Sequence, residues 1–374
     1  MLRPTQVIID LNCLEHNIAS IRHPLNNDTM ILAVVKADAY GHGSVQTARR
    51  ALESGVNWLG VAIPEEGAIL RKAGIQAPIL VLGGVLPDSI DMLLTYDLTQ
   101  TVFDTDTLSL LDHHAALIGK NIDIFLKIDT GMNRIGVIGD TDLLQLLDRM
   151  HTCSNVSLKG VFTHFAESDG SDKAYSHLQG ERFLHSLRLI KEHAEEVIVC
   201  AANSGAILDY PEYQFDMVRP GLLLYGYYPS EYVNRDIIHI EPILSWQTQV
   251  INVKTLPVGA SVSYGRLWTA KRQSTIATLP VGYGDGYKRI LTNRGYVLIH
   301  GKRAPIVGAV CMDQCMIDVT DVTDVKDVCV GDQAVLLGAQ GNDFIGADEM
   351  AIWAETISYE ILLSISDRVP RIYK

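Results

Sequence analysis

Between residues 30 and 221, short runs rich in β-branched residues alternate with longer amphipathic stretches, and this alternation constrains the fold more than any other feature. Successive strands lie parallel only when a crossover of a dozen or more residues joins them, so the pattern predicts βα units around a parallel sheet. Eight candidate strands can be counted, at 31–35, 58–62, 79–82, 99–103, 124–128, 159–163, 197–200 and 215–218. Between them, 44–53, 65–73, 105–118 and 175–193 carry apolar residues at helical three- and four-residue spacing. Eight strands, each followed by a helix or turn, suit a closed (βα)8 TIM-type barrel. An open doubly wound sheet would alternate in the same way, but no G-x-G-x-x-G follows the first run.

After residue 236 the pattern changes to strands separated by Gly/Pro turns, at 243–253, 273–279, 296–299, 304–310 and 333–337, with a helical stretch from 348 to 364. A length of 374 residues is enough for two cores. The expected fold class is therefore α/β. A barrel over residues 9–235 would be followed by a β-rich C-terminal domain over 236–374, with residues 1–8 a candidate to join it.

Lys and Arg number 31 against 44 Asp and Glu, giving 31 − 44 = −13, so a nonspecific grip on nucleic acid or an anionic membrane is not expected. No apolar run approaches the roughly 18 residues of a membrane span, and no leader pattern is visible, so the reading is a cytoplasmic protein acting on a small molecule. The six cysteines are scattered without a C-x-x-C pair, which predicts reduced thiols and no metal site.

The chemistry-bearing residues fall at strand ends. Lys36 follows the first run, at the end of the barrel where active sites are built. An amine flanked by apolar residues is kept deprotonated for Schiff-base chemistry, because desolvation lowers a lysine pKa. Lys127 and Asp129 follow the fifth run, His164 the sixth, Asn203 and Ser204 the seventh, and Arg219 the eighth. Ser204-Gly205 and Arg219-Pro220-Gly221-Leu222 match the place where barrels bind phosphate through backbone amides. A phosphate site and a lysine at one mouth point to pyridoxal 5'-phosphate.

The segment Ala33-Val34-Val35-Lys36-Ala37-Asp38-Ala39-Tyr40-Gly41-His42-Gly43 resembles the cofactor-lysine motif of bacterial alanine racemases. Further matching segments follow in order: Lys127-Ile128-Asp129-Thr130-Gly131-Met132-Asn133-Arg134, Thr163-His164-Phe165, Ala202-Asn203-Ser204, Val218-Arg219-Pro220-Gly221, Val262-Ser263-Tyr264-Gly265, Gly282-Tyr283, Cys311-Met312-Asp313-Gln314 and Arg368-Val369-Pro370-Arg371. The resemblance implies two-base interconversion of L- and D-alanine, supplying D-alanine for peptidoglycan. Lys36 would bond to the cofactor and serve the D-face proton, and Tyr264 would take the α-proton of L-alanine. A phenol needs cationic neighbours to act as a base near neutral pH, and Arg134 and His164 are the expected helpers.

By the same resemblance, Tyr40, Ser204, Gly221, Leu222 and Tyr359 hold the phosphate, His164 and Asn203 lie at the cofactor, and Arg219 faces the pyridine nitrogen. Arg134 and the Met312 amide take the substrate carboxylate, with Asp313 in support. Lys127 carries a carbamate that orients Arg134, and Tyr283 and Tyr359 narrow the substrate channel. A homodimer is implied, in which Tyr264 of one subunit completes the site of the other. Asn133 and Ser366-Asp367-Arg368 depart from the family pattern and bear on substrate preference. The alternatives are a racemase for serine or a broader set of amino acids, a decarboxylase of the same architecture, and a non-catalytic carrier of pyridoxal phosphate. The second domain argues against the carrier.

Overall fold

The computed structural model describes residues 3–194, 196–322 and 327–374. The chain forms two compact units, one of Cys13–Ala39 and Ser44–Glu241, the other of Met1–Asn12, Tyr40–Gly43 and Pro242–Lys374. Strand β1 (Gln6–Ile9) belongs to the second unit, and helix α1 (Leu11–Arg22) follows it.

The first unit is a closed barrel of eight parallel strands. They are β2 (Met30–Val34), β3 (Trp58–Val61), β4 (Ile79–Val81), β5 (Thr99–Val102), β6 (Ile122–Lys127), β7 (Val156–Phe162), β8 (Ile198–Asn203) and β9 (Met217–Arg219). Pairing of β9 with β2 closes the ring. The expectation of a (βα)8 barrel holds, with every strand found within a few residues of its expected place. The reason is that both faces of each strand are covered, so the strands read as near-continuous apolar runs. Ile31, Leu32, Leu59, Ile79, Leu126 and Val218 are all fully buried. Phe125 fills the barrel edge-on against Trp58 and Phe162, at ring-centroid distances of 5.4 and 6.4 Å.

The barrel helices are α2 (Lys36–Gly41), α3 (Ser44–Glu53), α4 (Pro64–Lys72), α5 (Ile90–Thr95), α6 (Thr105–Leu117), α7 (Gly139–Met150), α8 (Ala174–Lys191) and α9 (Ser204–Asp209). Their starts have local causes. Asp104 caps α6 by accepting the Thr107 N–H at 2.6 Å, and Pro64 opens α4 where no N–H is needed.

The second unit is built from β10 (Leu244–Gln249), β11 (Asn252–Leu256), β12 (Ser261–Val262), β13 (Trp268–Thr269), β14 (Ser274–Leu279), β15 (Tyr296–Ile299), β16 (Lys302–Pro305), β17 (Cys315–Asp318), β18 (Gln333–Gln340), β19 (Asp343–Ile345) and β20 (Arg371–Tyr373), with helices α10 (Ala347–Trp353) and α11 (Ser358–Ser364). A seven-stranded sheet runs β16-β15-β18-β10-β1-β20 with β19 on β18, beside a three-stranded sheet β11-β14-β17 and the pair β12-β13. Among the described residues no helix is long and apolar enough to cross a membrane.

Three expectations need correcting here. The strand read over 304–310 is β16, at 302–305, with an isolated bridge from Ile306 to Ile317 beyond it. The single strand read over 243–253 is two strands, β10 and β11, in different sheets. Val250 donates to Asp332 O and Ile251 to Thr278 O, so the chain switches sheets between them. The phase of the apolar alternation shifts at the adjacent pair Val250-Ile251, with Val250 buried and Ile251 exposed, a trace that a reading of one continuous strand passes over. The stretch 348–364 is likewise two helices, because Glu355 after α10 takes a left-handed φ of 53°. Helices commonly end this way, but with Gly in that position.

The N-terminal segment is stitched into the second unit. β1 runs antiparallel to β10 and parallel to β20, and the Thr5 and Thr248 hydroxyls meet at 2.8 Å. Arg3 makes a two-pronged ion pair with fully buried Asp285, which also accepts the Gly282 N–H. Met1 and Leu2, the first of the residues 1–8, lie outside the described residues.

Candidate active site

The C-terminal ends of the barrel strands converge on a cluster of cations. Lys36 follows β2, Lys127 ends β6, His164 follows β7 and Arg219 ends β9, with Arg134 on the loop after β6. The Lys36 amine is pushed below its ordinary value by burial first and then by Arg134, with Glu66 opposing. Lys127 is lowered to about 7, by burial and then Arg219, with Asp129 opposing. His164 is held well below its ordinary value by burial, then by Arg219, Lys127, Arg134 and Lys36. A like-charged set of this kind discards protons from the groups able to release them, and it attracts an anion.

Arg219 is nearly buried. Its Nη1 donates to Cys200 Sγ at 2.8 Å, and its Nη2 donates to Thr163 O at 2.7 Å, to Ala201 O at 3.2 Å and to His164 Nδ1 at 3.2 Å. A guanidinium has no acceptor, so His164 Nδ1 accepts and the neutral ring carries its proton on Nε2. The expectation of His164 as a cationic helper is thereby corrected: burial among four cations leaves the ring uncharged. Both Nη groups are engaged, and no described residue accepts from Arg219 Nε.

Beside it, Ser204 Oγ accepts the Gly221 N–H at 2.9 Å, which brings the start of α9 against the Gly221-Leu222 turn after β9. Asn203 accepts from Ala206 N at 3.0 Å and from Ser168 Oγ at 2.7 Å. Asn203 is thus a cap, and the Ser204 hydroxyl proton remains for an anion.

Two acidic residues shape the mouth. Asp129 accepts from the N–H groups of Gly131, Asn133 and Arg134 at 2.9, 3.0 and 3.1 Å, tying down the loop that carries Arg134. Glu66, at the start of α4, accepts from Ala37 N at 2.6 Å and Ala62 N at 2.7 Å. Sequence reasoning missed Glu66, since an acid in the first turn of a helix is the ordinary complement to the helix dipole.

The segment after Lys36 winds the other way. Ala37, Asp38, Ala39 and Tyr40 have φ of 51°, 51°, 53° and 55°, followed by Gly41 at 83°, so α2 is a left-handed turn. Each L-residue there costs roughly 1–2 kcal/mol, and only Gly41 adopts it freely. A Cβ on Gly41 would also meet Leu362 O at 2.8 Å. Glu66 on the Ala37 amide and Asp38 Oδ1 on the Ser44 amide, at 2.7 Å, help to hold the turn. An Ala37→Gly substitution at this exposed position is therefore expected to raise stability by up to about 1 kcal/mol, where the same change in an ordinary helix lowers it by a similar amount. Urea denaturation followed by circular dichroism measures the sign.

The remaining candidates lie on the second unit. Tyr40 is buried against Tyr359, with ring centroids 5.8 Å apart, and burial and then Tyr359 push its phenol above the ordinary value. Tyr264 opens a 3-10 turn between Ser263 (φ 66°) and Gly265 (φ 70°) and is 74% exposed. A cavity of about 610 Å³ beside it is lined by Ser263, Cys311, Gln314 and Met316 among others. Tyr283 and Met312 are joined through backbone, Tyr283 N to Cys311 O at 3.0 Å and Gly284 N to Met312 O at 2.8 Å. Asp313 accepts from Arg368 Nη2 at 2.6 Å. The candidates therefore form two sets, one on the barrel (Lys36, Lys127, Arg134, His164, Asn203, Ser204, Arg219, Gly221, Leu222) and one on the second unit (Tyr40, Tyr264, Tyr283, Met312, Asp313, Tyr359).

Residues 9–229 match the family model of the alanine racemase N-terminal domain, and residues 243–373 match that of the C-terminal domain. The chain belongs to the alanine racemase family. It is 46% identical to an alanine racemase of Halothermothrix orenii, over all of this chain and 97% of that one, and 42% identical to one of Methanococcus maripaludis, over 99% and 98%. Among solved structures, an alanine racemase of Clostridium difficile 630 superposes with a TM-score of 0.95 at 35% identity, covering 100% of this chain and 96% of that one. An alanine racemase of Bacillus anthracis with bound L-Ala-P gives 0.93 at 37% identity, with the same coverage. These alanine racemases match both the barrel and the second unit.

Proposed function

We propose that this protein interconverts L- and D-alanine with pyridoxal 5'-phosphate, moving the α-proton between two bases on opposite faces, Lys36 and Tyr264, and supplying D-alanine for peptidoglycan. The observation that carries the reading is the Lys36 amine, made easier to deprotonate by burial and Arg134, at the mouth of a barrel whose neighbouring strand ends, β9 and then β8, carry Arg219, the Gly221 turn and the Ser204 hydroxyl. Those residues fit the cofactor: a cationic rim suits a phosphate, and a donor that keeps its proton suits a ring nitrogen. When bound, pyridoxal phosphate would draw electrons from the substrate α-carbon and acidify its proton.

The chain's own groups then divide the work. Lys36 Nζ anchors the cofactor and takes or returns the proton on the D face. Tyr264 Oη does the same on the L face, since inversion needs reprotonation from the side opposite to removal. Ser204, Tyr40 and Tyr359 would hold the phosphate by hydroxyl and Leu222 by its backbone N–H, while the Gly221 N–H, expected as a second backbone donor, goes to Ser204 Oγ and orients that hydroxyl. His164 and Asn203 flank the cofactor. Arg219, which never yields its proton, would hold the ring nitrogen as a hydrogen-bond donor rather than as an acid, an arrangement that would favour racemisation over transamination. Arg134 and the Met312 amide hold the substrate carboxylate, which disfavours decarboxylation. Tyr283 and Tyr359 narrow the entrance around a methyl-sized side chain, with Asp313 in support.

The exposure of Tyr264 fits a homodimer in which each subunit's Tyr264 enters the partner's site. Lys127 lies among Arg219, Arg134 and Asp129, and with its amine lowered to about 7 it is half deprotonated near neutrality. In that state it adds to carbon dioxide, its nitrogen bonding to carbon and its proton leaving to solvent. The resulting carbamate supplies an anion to Arg134.

The unmodified lysine has a stability signature. Its folded pKa lies below the unfolded value, so between about 7 and 10.5 the unfolded chain binds the extra proton and stability rises with pH. Below about 7 both states are protonated and the burial penalty is complete. In carbonate-free buffer, wild type is expected to gain up to about 1.4 kcal/mol per pH unit over that window relative to Lys127→Met. Urea titrations of both proteins from pH 7 to 10 measure the difference.

Proton NMR in D2O tests the function, with the cofactor-supplemented protein given L-alanine, L-serine or L-lysine and the products analysed by chiral chromatography. Loss of the alanine α-proton with accumulation of D-alanine is expected. Faster inversion of serine or lysine would reassign the substrate, and no exchange with a bound cofactor would leave only the carrier reading.

A further inference from the structure

Apart from the candidate active-site residues, the two ends of the first unit meet in a cluster of metal-ligating side chains. Cys13 and His16 lie three residues apart on one face of α1, and His239 and Glu241 sit on the segment that ends the unit. That segment is extended in its burial pattern, with Ile238 and Ile240 buried and His239 and Glu241 exposed between and after them. One ligand atom from each of His16, His239 and Glu241 falls within 4.8 Å of the other two. His239 Nε2 is 3.8 Å from Glu241 Oε1, and half-buried Cys13 places its Sγ 3.7 Å from Glu241 Oε2. Donors around a tetrahedral zinc, bonded at about 2.0–2.3 Å, stand roughly 3.3–3.7 Å apart, so three exposed donors are near that spacing and Cys13 is the neighbour from which a fourth would come.

The backbone under the cluster is already fixed. Asn17, fully buried, accepts the Glu241 N–H at 2.8 Å and donates to Glu241 O at 2.8 Å and Leu224 O at 3.1 Å, binding the segment to α1 from both sides. Tyr228 Oη donates to Ile238 O at 2.7 Å. His16 and His239 stand edge to face at 5.9 Å and line, with His23, a shallow cavity of about 320 Å³. We propose that Cys13, His16, His239 and Glu241 form a site for one borderline divalent cation of the zinc class, which staples α1 to the segment that ends the barrel unit. One thiol, two imidazoles and one carboxylate select zinc, nickel or cobalt over magnesium and calcium, which take oxygen ligands. The position gives the ion a structural task, because Cys13 and Glu241 are the outermost residues of the unit, 228 positions apart in sequence. An ion held by both closes the unit at the two points where the chain enters and leaves it.

The test uses untagged, chelator-washed holoenzyme titrated with zinc chloride by calorimetry, beside His16→Ala/His239→Ala and Cys13→Ser variants whose metal-free melting temperatures are checked first. Saturable binding of one zinc per chain is expected, weakened at least about tenfold in the double variant. Zinc should raise the melting temperature of the wild type only, and slow amide exchange at residues 11–22 and 237–243. Cobalt in place of zinc should give visible bands of tetrahedral intensity, with the sulfur-to-metal band lost in Cys13→Ser. Equal affinity in the double variant, protection confined to other segments, or no saturable binding would each overturn the proposal.

Discussion

Lys36→Ala is expected to lose racemisation by about ten-thousand-fold or more in both directions while keeping its fold. In the proposed mechanism one substitution removes both the covalent anchor of the cofactor and the base on one face, and a single positioned proton-transfer group alone contributes about a hundred- to ten-thousand-fold. Stability should not suffer. The amine sits half-buried beside Arg134, and its burial penalises the charged form, so deleting it relieves an unfavourable interaction. Chiral chromatography of timed reactions measures the loss, retention of cofactor through a desalting column reports the anchor, and a thermal melt guards against unfolding. Activity within tenfold of the wild type would remove Lys36 from the mechanism.

Tyr264→Phe separates the two faces. The side chain is largely exposed on the isolated chain, so removing its hydroxyl leaves the fold of the second unit intact, and Lys36 still carries the cofactor. Net inversion should fall by about a thousand-fold or more, since the substrate then meets a base on one face only. The decisive sign is asymmetry in D2O. D-alanine should still exchange its α-proton through Lys36 with configuration retained, whereas L-alanine, which needs the phenol, should neither exchange nor invert. NMR of each enantiomer with the variant measures both. Equal exchange of the two enantiomers, or inversion at the parental rate, would defeat the two-base assignment. Mixing Tyr264→Phe with Lys36→Ala extends the test to the dimer, because a hybrid carrying one intact composite site regains part of the activity only if the tyrosine comes from the partner.

The barrel was legible because parallel strands covered on both faces leave a strong one-dimensional signal, apolar runs punctuated by amphipathic helices. Strand ends then located Lys36, Lys127, His164, Ser204 and Arg219, since a closed barrel gathers every strand terminus at one mouth. Three features stayed hidden for physical reasons. The strand break at Val250-Ile251 is marked in sequence only by a one-residue shift in apolar phase, and the helix break at Glu355 uses a left-handed residue where sequence logic looks for glycine. The neutral state of His164 depends on four cations drawn from separate strands and loops, which no local pattern reports.

What sequence alone determined is therefore the architecture and which side chains stand at the strand ends, because periodicity and strand-end position are properties of neighbours along the chain. Only tertiary structure decided their chemical state. It wound Ala37-Asp38-Ala39-Tyr40 into a left-handed turn that these residue types disfavour, held by Glu66 from another helix and by Asp38 on the Ser44 amide. It lowered the lysine amines by burying them among arginines, and it brought Cys13 and His16 to His239 and Glu241 across the length of the barrel unit. Each of these rests on through-space burial and charge, which act between residues far apart in sequence and leave no periodic trace in it.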